Sequence, residues 1–388
     1  MKTAVIEQML KDLEALTPAV AKRAAEFDAH RTIPRDLVET LRSIGIFRLF
    51  VPRGYGGLEL DMPCAIEILT TLAKIDGSLG WIGMIGAGAA LVIPELPKGT
   101  YERIYEHGPD VIFAGSFLPG GTAERTEQGW RVSGRWPFAS GCLHADWILG
   151  LCTMREHGVA LPGPADGVPL MRGFLAPATE WHVEDSWHVM GLRGTGSHHI
   201  SLSDAWVDDD QFFASGAQPW LTGPLYGAAQ QFIPLLHAAN NVGIAEGALE
   251  DLVAFAANGH RQQRASAPMR DSEYFQAELG RAYADVRAAR AFLRDQTANY
   301  WQRAVAGKLN DKDLQILGAQ TTTWIAATCA RATDVCFELA GSSMLYENMP
   351  LQRRMRDLHA AAQHAALQKR NFINGGSLLL KRHPASTD

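Results

Sequence analysis

An α+β fold in three successive zones is predicted by two changes of hydrophobic period along the 388 residues. The zones are an N-terminal helical domain, a middle antiparallel β domain and a C-terminal four-helix bundle. Apolar residues recur at helical spacing to about residue 110, alternate in short runs from about 111 to 210, and return to helical spacing from about 222. The β runs follow one another with no helix between them, which argues against a doubly wound parallel sheet. The expected domains are 1–110, 111–221 and 222–388.

The first residues, MKTAVIEQMLKDLEAL, carry acids throughout and no long apolar core, so they read as an amphipathic helix rather than a signal peptide. A second helix is predicted from Thr32, with Pro34 in its first turn, Leu37, Val38, Leu41 and Ile44 on one face, and Gly45 as the stop. A further apolar stretch covers Cys64 to Leu72 and resumes at Trp81. Its later part, with Gly83, Gly86, Ala87, Gly88, Ala89 and Ala90, suits either close helix packing or space for a ligand. Residues 111–117, 130–138, 147–153, 171–176 and 199–207 have the composition of short strands, and His199–Ser203 alternates cleanly. Four long helical segments then follow, over 231–257, 272–307, 311–340 and 353–380, the number a four-helix bundle needs.

Hydrophobic residues make up 47% and charged residues 20%, as in a globular protein with a sizeable core. The net charge of −6 gives no basic surface for nucleic acid or anionic lipid. Five cysteines, Cys64, Cys142, Cys152, Cys329 and Cys336, are an odd number with no CxxC pair, which points to free thiols in a reducing compartment. No run is read as approaching the roughly 18 apolar residues of a membrane span, and a cytoplasmic protein without a membrane partner is expected. Packing is the commoner use of ten tryptophans, although they can also line a pocket.

Gly191-Leu192-Arg193-Gly194-Thr195-Gly196 imitates a dinucleotide loop, but it precedes an alternating strand instead of opening a helix. No Walker-type loop and no GxSxG elbow occur. His359 and His364 are about 140° apart around a helix, too far to share one metal. His198 and His199 alternate faces on a strand. No metal site is expected.

Several short motifs in the right order resemble the acyl-CoA dehydrogenase superfamily. Gly54-Tyr55-Gly56-Gly57-Leu58 resembles its YGG turn. Gly134-Arg135-Trp136-Pro137-Phe138-Ala139-Ser140-Gly141 with Ala145-Asp146-Trp147 resembles its flavin-contacting strand and the strand after it. Gly191–Ser197 leading to Ala205-Trp206-Val207 resembles its later middle-domain segment, and Arg356-Asp357 its final RD pair. Phe138–Cys142, Gly194–His198 and the run from Gln352 to His364 are most similar to the flavin monooxygenase branch. That branch holds the oxygenase components of 4-hydroxyphenylacetate and steroid-phenol hydroxylases and dibenzothiophene monooxygenase. Many dehydrogenases of this fold place a carboxylate just after a tyrosine eight residues past the RD arginine. Here His364 stands at the tyrosine and Ala365 at the carboxylate, and no Asp or Glu follows Asp357 until Asp388.

The resemblance implies a two-component enzyme using reduced FAD or FMN and O₂, through a C4a-hydroperoxyflavin, to hydroxylate an aromatic or heteroaromatic substrate of phenol or indole type. A separate NAD(P)H:flavin reductase and a homotetramer are implied with it, and the flavin is held without a local nucleotide fingerprint. The catalytic residues it implies are His364, as a base or a support for the peroxide, and Ser140, whose hydroxyl would lie beside the flavin. Trp136, Phe138, Ala139, Ser140, Arg193, Thr195, Gly196 and Ser197 would contact the flavin, with Arg264 and behind it Arg270 toward its phosphate. His359 reads as structural. Several relatives carry a histidine in the helix corresponding to 81–91, which this chain lacks; its small residues suggest a roomier apolar pocket or, equally, packing glycines. Two other readings stay open: an acyl-CoA dehydrogenase using FAD with a base outside the final helix, and a non-catalytic scaffold on the same fold.

Overall fold

The computed structural model describes residues 2–213, 218–262, 265, 267–309 and 311–381. Helix α1 (Lys2–His30) buries Met9, Leu13, Leu16, Val20, Ala24 and Phe27, spaced three or four apart along one stripe. In α2 (Arg35–Ile44) the proline sits one position earlier than expected: Pro34 is the cap before the first turn, while Gly45 at φ 94° ends the helix as predicted. Helices α3 (Met62–Ile75) and α4 (Gly77–Gly88) are each started by an aspartate. Asp61 accepts from the Cys64 N–H, and Asp76 from those of Ser78 and Leu79. A short α5 (Lys98–Ile104) leads into the sheet.

One stretch corrects the sequence reading. Gly77–Glu95 does have the length and hydropathy of a membrane span, yet 89% of it is buried inside the protein, as a core helix is. Its small residues are filled by neighbours. A Cβ on Gly83 would strike Leu72, one on Gly86 would strike Phe47, and one on Gly88 would meet Leu236 at 3.0 Å. Of the two alternatives left open by the sequence, room or packing, these contacts favour packing glycines.

Eight strands form one sheet: β1 (Phe113–Thr126), β2 (Gly129–Trp136), β3 (Trp147–Glu156), β4 (Val159–Ala160), β5 (Met171–Pro177), β6 (His182–Glu184), β7 (His199–Val207) and β8 (Phe212–Phe213). Their order is β6-β7-β2-β1-β3-β5-β8, with β4 paired to β3. The sheet expected to be antiparallel is mixed, because β1 and β3 run parallel while every other pair is antiparallel. The ten residues between β2 and β3 carry the chain across the sheet, so the two strands cannot form a hairpin.

The long helices α6 (Ala229–Ala257), α7 (Glu273–Val305) and α8 (Lys312–Ala340) lie close to their expected bounds. α6 is apolar nearly all round because α3, α4, α7, α8 and α9 all pack on it. The last segment is not one helix: α9 (Pro350–Ala361) and α10 (Arg370–Lys381) are separated by a break containing a short 3₁₀ turn. Alanine-rich sequence there favours helix, but local hydrogen bonds override it. His364 Nδ1 accepts from the Ala366 N–H, and Asn371 Nδ2 donates to the Ala366 carbonyl and to Thr323 on α8.

α9 is locked to the loop before β7. Asp357, fully buried, accepts the Leu192 N–H at 2.6 Å. Arg356 bridges to Asp28 on α1 and to the Met190 carbonyl, and Arg353 lies 3.4 Å from Asp76. Gly191 is pressed so closely on the Arg356 carbonyl that a Cβ has no room. Because backbone cannot give way there, Gly191→Ala is expected to destabilise by about 2 kcal/mol or more. Chemical denaturation checks this; an unchanged midpoint would contradict the packing.

Candidate active site

Three segments converge between α4, the sheet and the bundle. Trp81 stands in the second turn of α4, set by the Asp76 cap. Ser140 lies in a tight turn after β2, where Phe138 adopts φ 65° and Gly141 φ 77°. That turn is stitched to the loop before β7, since Ala139 N–H donates to the His198 carbonyl (3.0 Å) and Gly141 N–H to that of Thr195 (2.9 Å). The same loop, turned by Leu192 and Gly196 at positive φ, presents Thr195 and Ser197. Trp81 Nε1 donates to Ser140 Oγ at 2.9 Å, Ser140 Oγ lies 2.7 Å from Ser197 Oγ, and Ser197 Oγ lies 2.6 Å from Thr195 Oγ1.

Two imidazoles close the site. His237 comes from α6 and His364 from the break between α9 and α10; their rings stack at 3.8 Å. Trp81 meets them at 5.1 Å and 5.7 Å. Burial pushes His364 down to about 4, so it is neutral at physiological pH. Its Nδ1 accepts a backbone N–H, which puts the ring hydrogen on Nε2 and makes that nitrogen a donor. His237 is held well below its ordinary value by burial and by His364, and its Nδ1 is buried without a hydrogen-bond partner.

No carboxylate contributes to the shift of His364. The acids of α6 are all committed elsewhere: Glu246 pairs with Arg290, Glu250 with Lys74 and Asp251 with Arg354. A flavin fits beside this cluster on the grounds of surface chemistry. Phe138, 57% exposed despite its size, adjoins Trp187 and His199 as an apolar shelf next to the hydroxyls. A flat ring with apolar faces and a polar edge needs that combination.

The structure brings Ser140, Thr195, Ser197 and His364 together and places Phe138, Ala139 and Gly196 around them. Trp136 is elsewhere: fully buried in the sheet core, it donates its indole N–H to the Leu151 carbonyl and packs on Trp181 and Phe174, so its side chain faces no ligand. Arg193 braces its own loop through the Val189 carbonyl. Arg270 is exposed on a 3₁₀ turn near Asp271, and Arg264 lies outside the described residues. His359 pairs with Asp334 at 2.7 Å, in keeping with a structural role. His198 is likewise structural, accepting two backbone N–H groups on Nδ1. Among the described residues no three potential ligands gather for a metal. Trp81 and His237 went unnoticed in the sequence. The available signal was a lone histidine followed by Asn240 and Asn241 inside the apolar run of α6.

Comparison with known proteins agrees with this architecture. Residues 7–100 match the family model described as acyl-CoA dehydrogenase, N-terminal domain, and residues 235–369 the corresponding C-terminal domain. The chain is 30% identical to an indole-3-acetate monooxygenase of Acinetobacter baumannii, over 96% of this chain and 95% of that one. It is 29% identical to the flavin-dependent monooxygenase oxygenase subunit HsaA of Rhodococcus jostii, over 92% and 94%. The structure of XiaF from a Streptomyces species, solved with FADH2 and glycerol, superposes with a TM-score of 0.89 over 97% of this chain and 96% of that one; at 24% identity it shows a common fold.

A half-buried histidine kept neutral by desolvation leaves a signature in stability. The unfolded chain binds a proton at His364 near pH 6.5 and the folded one only near 4, so stability falls as pH drops through that window. Between about pH 7 and pH 4.5 this term is worth about 2 kcal/mol. The loss of unfolding free energy over that range is expected to shrink by about that amount in His364→Gln. An undiminished pH dependence would mean that His364 titrates normally.

Proposed function

The chain belongs to the acyl-CoA dehydrogenase family, in its flavin-dependent monooxygenase branch, and from that premise we propose that it hydroxylates an aromatic or heteroaromatic substrate of indole or phenol type. The observation that carries the reading is the half-buried neutral imidazole of His364 standing where no free carboxylate is at hand. Many dehydrogenases of this fold remove the proton α to a thioester with a carboxylate, and among the described residues the site offers no free one. The relatives named as an indole-3-acetate monooxygenase and as an oxygenase subunit support both the substrate class and the division of labour with a separate reductase.

The residues present suit reduced FAD or FMN, with Ser140 at its polar edge, Ser197 and Thr195 hydrogen-bonded behind it, and the Phe138 shelf under its apolar part. When bound, the reduced flavin supplies the electrons and the centre at which O₂ is activated. His364 offers its Nε2–H as a donor to a bound substrate or oxygen, and its low proton affinity keeps it neutral. Of the two roles the sequence suggested, a base or a support for the peroxide, this favours the second. Trp81, His237 and His364 wall the site with ring faces and edges, which excludes water and matches a planar substrate. Assembly as a homotetramer is supported by α10, whose Phe372, Ile373, Leu379 and Leu380 stay exposed on the single chain.

The test supplies purified chain with an NADH-driven flavin reductase, flavin, O₂ and either indole-3-acetate or a simple phenol. Hydroxylated product is expected. His364→Ala should cut product formation by about 10²-fold while flavin oxidation continues as peroxide release. Reduction of bound FAD by an acyl-CoA thioester, with no hydroxylation, would replace this reading with that of a dehydrogenase.

A further inference from the structure

The buried hydroxyls form a chain whose direction is fixed at both ends. At one end the Trp81 indole N–H can only donate, and it donates to Ser140 Oγ. At the other end the Leu192 carbonyl can only accept, and it takes the Thr195 hydroxyl hydrogen at 2.8 Å. Each hydroxyl has a single hydrogen. With the Thr195 hydrogen on Leu192, the 2.6 Å contact between Thr195 and Ser197 is closed by the Ser197 hydrogen. The 2.7 Å contact between Ser197 and Ser140 must then be closed by the hydrogen of Ser140. Every hydrogen runs one way, from Trp81 through Ser140, Ser197 and Thr195 to Leu192. Ser140 keeps only a lone pair for anything outside the chain. Thr195 and Ser197 are 2% exposed and Ser140 6%, so bulk water does not scramble this order.

We propose that Thr195 and Ser197 are positioning residues that hold Ser140 as a hydrogen-bond acceptor and so make the site discriminate between the redox states of its flavin. The inference rests on the reading that Ser140 faces the flavin N5 edge. A reduced isoalloxazine carries a hydrogen on N5 and can donate it to Ser140. An oxidised one presents a bare lone pair there, facing the lone pair of Ser140, and no hydrogen can be spared without breaking the chain. One made against one unmade hydrogen bond corresponds to a preference of at least about tenfold. An oxygenase fed by a separate reductase gains by this, because it captures the reduced form and lets the spent one go.

The experiment measures dissociation constants of FADH2, anaerobically, and of FAD for the full-length chain and its variants. In Thr195→Val the Ser197 hydrogen loses its acceptor and turns to Ser140, whose own hydrogen becomes free to donate to oxidised N5. FAD should then bind more tightly, and the FAD-to-FADH2 ratio of dissociation constants should fall by at least about tenfold. Ser197→Ala should act in the same direction, Thr195→Ser should restore the ratio, and Trp81→Phe, which leaves the direction of the chain intact, should preserve it. General damage to the site would weaken both forms together and leave the ratio alone. If Ser140→Ala alters affinity but neither Thr195→Val nor Ser197→Ala moves the ratio, the chain does not set the polarity of Ser140. If Ser140→Ala changes neither affinity, Ser140 does not face the flavin and the inference falls with the placement beneath it.

Discussion

The Leu192 N–H, donated to the buried carboxylate of Asp357, is the bond on which the geometry of the site depends. It fastens the loop that carries Thr195 and Ser197 to α9, the helix that ends just before His364. With the Arg356–Met190 contact beside it, it sets the hydroxyls of the sheet relative to the imidazoles of the bundle. Asp357 is expensive to bury; desolvation and the neighbouring Asp76 raise it above the usual carboxylate range, against the pull of Arg353 and the Leu192 N–H. Such a group persists where its partners over-determine it. Here Arg353, Arg356, Asp76 and Asp28 link α9 to α4 and α1 around it.

From that junction the chemistry of the site follows by burial. Desolvation disfavours a charge on either of the two stacked histidines, the one buried and the other half-buried, and among the described residues no acid contributes to their shifts. The same helices are rich in carboxylates, but each acid on α6 is matched to a cation at the surface or the helix seam. What remains is a pocket of neutral donors and acceptors walled by aromatic rings. That environment shelters a reactive oxygen species and an electron-rich ring, and it is poorly suited to abstracting a proton from carbon.

Much of the fold was legible in the sequence because the periods of α1, α7 and α8 follow from which faces they bury. Ser140 and His364 were singled out through short motifs, and the structure brings both against Trp81. The parallel pairing of β1 with β3 was hidden, since alternation reports faces and not strand direction. The break after α9 was hidden by alanines whose propensity is overruled by the hydrogen bonds of His364 and Asn371 to Ala366 and of Asn371 to Thr323 on α8. Gly83 and Gly86 could be read as room or as packing, and only the positions of Leu72 and Phe47 decide. Trp136 lies in a flavin-like motif yet points into the sheet, because a strand sends alternate side chains to opposite faces. The partnership of His237 with His364 joins residues 127 positions apart, which no local pattern can report.

The central claim is that this pocket inserts an atom of molecular oxygen into an aromatic ring. Its most direct test is mass spectrometry of the product formed from reduced flavin, ¹⁸O₂ and an indole or phenol. The account predicts one ¹⁸O atom in each hydroxylated product, while the same reaction in H₂¹⁸O with ordinary O₂ leaves the new oxygen unlabelled. Product whose oxygen comes from water, or conversion that proceeds without O₂, would contradict it.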